Sequence, residues 1–86
     1  MLRITKEVRP PSRAALVVEG QLVGPWVEEL RRATEDVLAT GNAVLDLQGL
    51  RFADREGVAL LRRLRDAGLE MVGSSTFVTT LIGGGP

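Results

Sequence analysis

The sequence predicts an α/β domain: a single mixed sheet of about four strands with crossover helices, in the order β-β-α-β-α-β-α. Three observations carry this reading. Short apolar runs rich in Val, Leu and Ala, at 14–20, 43–47 and 69–73, have the length and composition of strands. Between them lie two stretches with apolar residues at helical spacing, after Gly24-Pro25 and from Gly57. Glycine and proline mark the joins, at Pro10-Pro11, Gly24-Pro25, Gly41 and Gly68. With 86 residues, 44% of them hydrophobic, the chain suits one compact domain. Residues 1–82 are expected to form it, and Gly83-Gly84-Gly85-Pro86 a flexible tail.

Taken in order, residues 2–8 alternate apolar with polar, as a half-buried strand does. The proline pair stops them, and residues 14–20 read as a more fully buried strand, antiparallel to the first. Pro25 suits the first position of a helix. Trp26, Val27, Leu30, Ala33, Val37 and Leu38 then give that helix one dry side, with Trp26 expected in the core. Acid and base four residues apart, Glu28 with Arg32 and Arg31 with Glu35, support the wet side. Gly41-Asn42 ends it, tolerating positive φ. The third strand follows at 43–47, with Gly49 expected in a turn after it. Val58, Leu60, Leu61, Leu64 and Ala67 build the second helix, with Asp54 as its N-cap. Residues 69–73 are the last strand, and Ser74, Ser75 and Thr76 offer caps for a short final helix.

Composition removes several classes of chemistry. The chain has neither cysteine nor histidine, so disulfides, thiolate nucleophiles and the commonest general base and metal ligand are gone. Eleven bases balance eleven acids, so no net field steers the chain toward nucleic acid or an anionic membrane. Arg51, Arg62, Arg63 and Arg65 form a basic cluster, but without aromatic residues for stacking. No apolar run approaches a membrane span, and the expected location is the cytoplasm.

One segment stands out: Phe52-Ala53-Asp54-Arg55-Glu56-Gly57. It falls where a strand's C-terminal end meets a helix N-terminus, the edge at which open α/β sheets commonly bind. Arg55 in the first helical turn opposes the helix dipole, whereas Glu56 there is favoured by it. The segment holds no nucleophile and no tuned base, so it is read as a partner-binding surface comprising Ala53, Asp54, Arg55, Glu56, Gly57 and Val58. No catalytic residue, metal or cofactor is assigned. A carboxylate-based phosphorelay or metal-dependent enzyme, with Asp46, Asp54 and Glu56 around a magnesium ion, is the alternative of another class. Otherwise Asp46 is expected to bond local backbone.

The run from Val44 to Val58, VLDLQGLRFADREGV, resembles the central signature of STAS domains, the module of anti-sigma factor antagonists and sulfate transporter tails. In that family an apolar strand leads through Asp-Leu-Ser-Gly and an aromatic residue to Asp-Ser-Ser-Gly, which opens a helix. The likeness extends upstream to Glu19-Gly20-Gln21-Leu22-Val23 and downstream to residues 68–73. It implies a non-catalytic signalling module with a protein partner, an anti-sigma or kinase-like regulator. The antagonists are phosphorylated on the serine after the aspartate; here that position is Arg55, and Glu56 follows it. Neither forms a phosphate ester, so the family switch is expected to be missing, with Ser74, Ser75 or Thr76 as displaced alternatives. The chain is also shorter than the family pattern and is expected to lack a final strand and helix. An accessory subunit of a lipid-transport-like complex is a further STAS-type alternative, and homodimerisation stays open.

Overall fold

The computed structural model describes residues 1–10, 13–39 and 42–73. Their order is β1 (Leu2–Arg9), β2 (Arg13–Leu22), α1 (Pro25–Leu38), β3 (Ala43–Ala53), α2 (Arg55–Asp66) and β4 (Glu70–Val72). The four strands form one mixed sheet in the order β1-β2-β3-β4, with β1 antiparallel to β2 and the two remaining pairs parallel. This is the α/β architecture expected from the sequence. The final helix expected over 74–82, the tail 83–86 and Gly41 lie outside the described residues.

Successive right-handed crossovers that advance in one direction put both helices on the same face of the sheet. There Leu30 and Val37 of α1 and Leu60, Leu61 and Leu64 of α2 close over Leu16, Val18 and Leu22 of β2 and Leu45, Leu47 and Leu50 of β3. The helical spacing foresaw most of this face. Two residues of α1 depart from it. Thr34 is fully buried and Trp26 is 37% exposed. The Thr34 hydroxyl donates to the carbonyl oxygen of Arg31 at 2.9 Å, so its burial leaves no unmet hydrogen bond. Trp26, in the first helical turn, remains partly in solvent instead of joining the core.

β3 is six residues longer than the apolar run 43–47 foretold. Gly49, expected in a turn, lies inside the strand opposite Glu19. The pairing with β2 shifts register between Val17 and Glu19 and again between Gly20 and Gln21. Each shift places an extra residue on β3, the first within Leu47-Gln48 opposite Val18 and the second at Arg51, so the strand absorbs both as bulges and continues to Ala53. These bulges carry the chain to the sheet edge where α2 starts.

The face of the sheet away from the helices carries an ion-pair network. Asp46 lies between the core residues Leu45 and Leu47 and therefore points to the opposite side. Its Oδ2 accepts from Arg9 Nη2 at 2.7 Å, joining β3 to β1 across β2, and its Oδ1 accepts from the Gln48 N–H at 3.0 Å. The local backbone bond is the one expected, with Arg9 added. Arg13 and Glu70, 3.0 Å apart, similarly join β2 to β4 across β3.

Arg9, followed by the Gln48 N–H, holds the Asp46 carboxyl below the usual carboxylate range. A carboxyl so depressed stabilises the fold above its unfolded pKa, near 4, and that stability is lost as pH falls through the lower folded value. Asp46→Asn keeps an acceptor for Gln48 but loses the charge. It is expected to cost about 1 kcal/mol at neutral pH, reduced by the partial exposure of Arg9. Urea unfolding at pH 7 and pH 3 checks this: the gap between wild type and variant should narrow in acid, and an equal gap at both would contradict it.

Candidate functional site

The C-terminal ends of β2 and β3 lie side by side, Leu22 opposite Ala53. From them the chain turns into the two helices within two residues: Val23-Gly24 leads to Pro25 of α1, and Asp54 leads to Arg55 of α2. Both helix N-termini therefore gather at one edge, as the position of the FADREG segment implied.

Asp54 fastens that edge. Its N–H donates to the Leu22 carbonyl oxygen at 3.1 Å, extending the strand pairing by one bond. Its Oδ1 accepts from the Gly57 N–H at 2.8 Å, the N-cap bond of α2. Its Oδ2 accepts from the Gly24 N–H at 3.0 Å, thirty residues upstream. One carboxylate thus ties the start of α2 to the turn that starts α1. Gly24 adopts φ 54° there, a left-handed conformation that a residue with a Cβ reaches only with strain. The amides of Gly24 and Gly57 hold the Asp54 carboxyl below the usual carboxylate range.

The six residues of the predicted surface separate into two groups. Ala53 and Gly57 are buried, and a Cβ on Gly57 would come within 2.6 Å of the Leu22 carbonyl oxygen and 3.0 Å of Leu22 Cγ. Val58 is half-buried and packs against the core. What the segment turns to solvent is Arg55 and Glu56, both exposed, with part of Asp54 between them and the sheet. Neither Arg55 nor Glu56 forms an ion pair among the described residues. Both Asp54 oxygens accept from backbone amides, and Arg55 is not among their partners.

Two exposed aromatic side chains lie on the segments that meet at Asp54: Phe52, 45% exposed, on β3, and Trp26, 37% exposed, on α1. Sequence reasoning gave Phe52 no role and placed Trp26 in the core. The signal available was the pleat: once β3 bulges at Arg51, Ala53 turns inward and Phe52 faces away.

The other candidates are elsewhere. Asp46 is bound to Arg9, at a β3 position where Val72 of β4 pairs, remote in sequence and register from the Asp54 edge. No group of three or more Asp or Glu is positioned to hold a metal ion among the described residues. Ser74, Ser75 and Thr76 lie outside the described residues. Arg62, Arg63 and Arg65 are exposed on α2, with Arg65 3.5 Å from Asp66. A shallow groove of about 270 Å³ runs between the helices over Thr34, Leu38, Leu60 and Leu64, and it does not include residues 52–58. No helix among the described residues is long and apolar enough to cross a membrane.

The fold is that of a STAS domain. The chain is similar to the STAS domain of an anti-sigma factor antagonist from Rhodobacter sphaeroides, with 25% identity and a TM-score of 0.64 over 84% of this chain and 86% of that one. It also superposes on the anti-sigma factor antagonist SpoIIAA in its unphosphorylated form, with 20% identity and a TM-score of 0.69 over 98% of this chain and 84% of that one. No protein-family model and no curated protein matches the sequence.

Proposed function

We propose that this chain is a non-catalytic STAS-type signalling module that binds a protein regulator in the cytoplasm through the edge where α2 begins. The observation that carries the reading is the division of labour at that edge. Asp54 spends its carboxylate on Gly24 and Gly57, whereas Arg55 and Glu56 extend from the fastened turn with no ion-pair partner among the described residues. A base and an acid held side by side on a rigid turn suit recognition by complementary charge. The likeness to two anti-sigma factor antagonists supports a regulator of the anti-sigma or kinase type as the partner. With arginine where the resemblance places the phosphoacceptor serine, binding at this edge is constitutive and not switched by phosphorylation there.

The test is affinity capture from native lysate with the full chain, with captured proteins identified by mass spectrometry. Recovery of an ATPase-fold regulator by the wild type, reduced about tenfold or more by Arg55→Glu, is the expected result. Recovery that Arg55→Glu and Glu56→Arg both leave unchanged would overturn the reading, and recovery of a membrane permease would favour the transport-complex alternative. Incubation with the recovered regulator and ATP should leave residues 54–57 unmodified. Phosphate mapped to Ser74, Ser75 or Thr76 would move the switch there.

A further inference from the structure

A second surface, independent of the Asp54 edge, lies along β1. This strand pairs only with β2, so its outer edge is open along all eight residues among those described. Backbone groups alternate along an antiparallel strand, each residue turning both its N–H and its C=O to the same side. The Met1 carbonyl oxygen accepts from the Gln21 N–H at 2.9 Å, and the pairing continues without a bulge from Leu2 opposite Gly20 to Arg9 opposite Arg13. Arg3, Thr5, Glu7 and Arg9 therefore bond β2, and Leu2, Ile4, Lys6 and Val8 offer their backbone groups to the open edge.

The side chains alternate as well. Leu2 and Ile4 point to the helix-covered face and contribute to the core, and Val8, at the far end of the same row, is 77% exposed. Arg3, Thr5 and Glu7 lie on the other face with Arg9. Arg3 has no ion-pair partner among the described residues, and the only ion pair of Glu7 is a 3.7 Å contact with Arg9, whose closer partner is Asp46.

We propose that β1 is a self-recognition strand: two copies of the chain join β1 to β1, antiparallel and centred on Thr5, so that their sheets become one. Only registers that oppose the outward-facing residues of each copy form the ladder. Centring on Thr5 sets Arg3 opposite Glu7 of the second copy, twice by symmetry, and covers the exposed Val8 with Leu2 and Ile4 of the second copy. Centring on Lys6 instead would oppose Lys6 to Lys6 and Arg3 to Arg9, and centring on Ile4 would leave Arg3 opposite Thr5. Charge thus selects one register, and Lys6, the residue type that usually protects a sheet edge, blocks a competing one.

Sedimentation of the full chain from about 10 µM to about 1 mM should show a reversible monomer–dimer equilibrium, in keeping with a small two-strand interface. Glu7→Arg should weaken it about tenfold, and Arg3→Glu with Glu7→Arg should restore it by exchanging the charges. Lys6→Pro should abolish it while keeping the monomer folded, because the lost N–H faces away from β2. A monomer at every concentration would overturn the proposal, as would a dimer that neither Glu7→Arg nor Lys6→Pro weakens. Should Lys6→Pro unfold the chain, the charge exchange decides alone: a double variant that dimerises no better than Glu7→Arg overturns it.

Discussion

Gly57→Ala is expected to destabilise the domain by about 2–3 kcal/mol, although glycine-to-alanine exchange within an exposed helix stabilises it by about 1 kcal/mol. The sign reverses because of what faces Gly57. Its missing side chain lets α2 begin directly against β2, with the Leu22 carbonyl oxygen 2.6 Å from the Cβ position. That oxygen also accepts from the Asp54 N–H, so it cannot retreat without breaking the bond that sets the turn. The clash is therefore with backbone, where no rotamer change relieves it. In a domain of this size the loss corresponds to a fall in melting temperature of about 10–20 °C, read by circular dichroism. An unchanged or raised melting temperature would show that α2 does not abut β2 as described.

Leu22→Ala has the other large expected effect, about 3–4 kcal/mol in urea unfolding. Leu22 is fully buried at the end of β2, beneath the point where both helices start. Its removal leaves a void that Ala53 on one side and Gly57 on the other are too small to fill. The two substitutions should not add. Leu22 Cγ and Cδ2 stand 3.0 and 3.2 Å from the Gly57 Cβ position, so Leu22→Ala removes part of the clash that Gly57→Ala creates. The double variant is expected to be about 1 kcal/mol more stable than the sum of the single losses allows. Strict additivity would mean that the two residues do not meet.

The parts of this joint that were legible in the sequence are those with a local signal. The N-cap role of Asp54 follows from an acid three residues before a glycine at the head of an apolar helical run. Pro25 at the first position of α1 is equally local. The bond from Gly24 to Asp54 was not legible, because it joins positions thirty residues apart whose proximity depends on the β2–β3 register. The same holds for Arg9 with Asp46, on strands separated by a third. The length of β3 was hidden for another reason: Gln48-Gly49 has the composition of a turn, and only pairing with β2 shows that the strand runs on through a bulge just before Gly49. Thr34, which the apolar spacing does not mark, is buried, and Trp26, expected in the core, is partly exposed, because polarity and size predict burial only on average. One carries a hydroxyl that its own helix satisfies, and the other sits on the first helical turn.

Arg55 and Glu56 owe their presentation to this joint. The strand end, the cap and the bridge to Gly24 fix the turn from which they project. On the proposed reading, the opposite charges of Arg55 and Glu56, where the STAS resemblance implies two serines, change the partner chemistry of this turn while leaving its support in place.

The most direct measurement is a pH titration followed by NMR at the amide protons of Gly24 and Gly57. If one carboxylate fastens both helix starts, the two signals move together as Asp54 is protonated, with a common midpoint below the ordinary aspartate value of 3.8. A response at Gly57 alone, or a shared midpoint at or above that value, would contradict the bridge and with it the rigid presentation of Arg55 and Glu56.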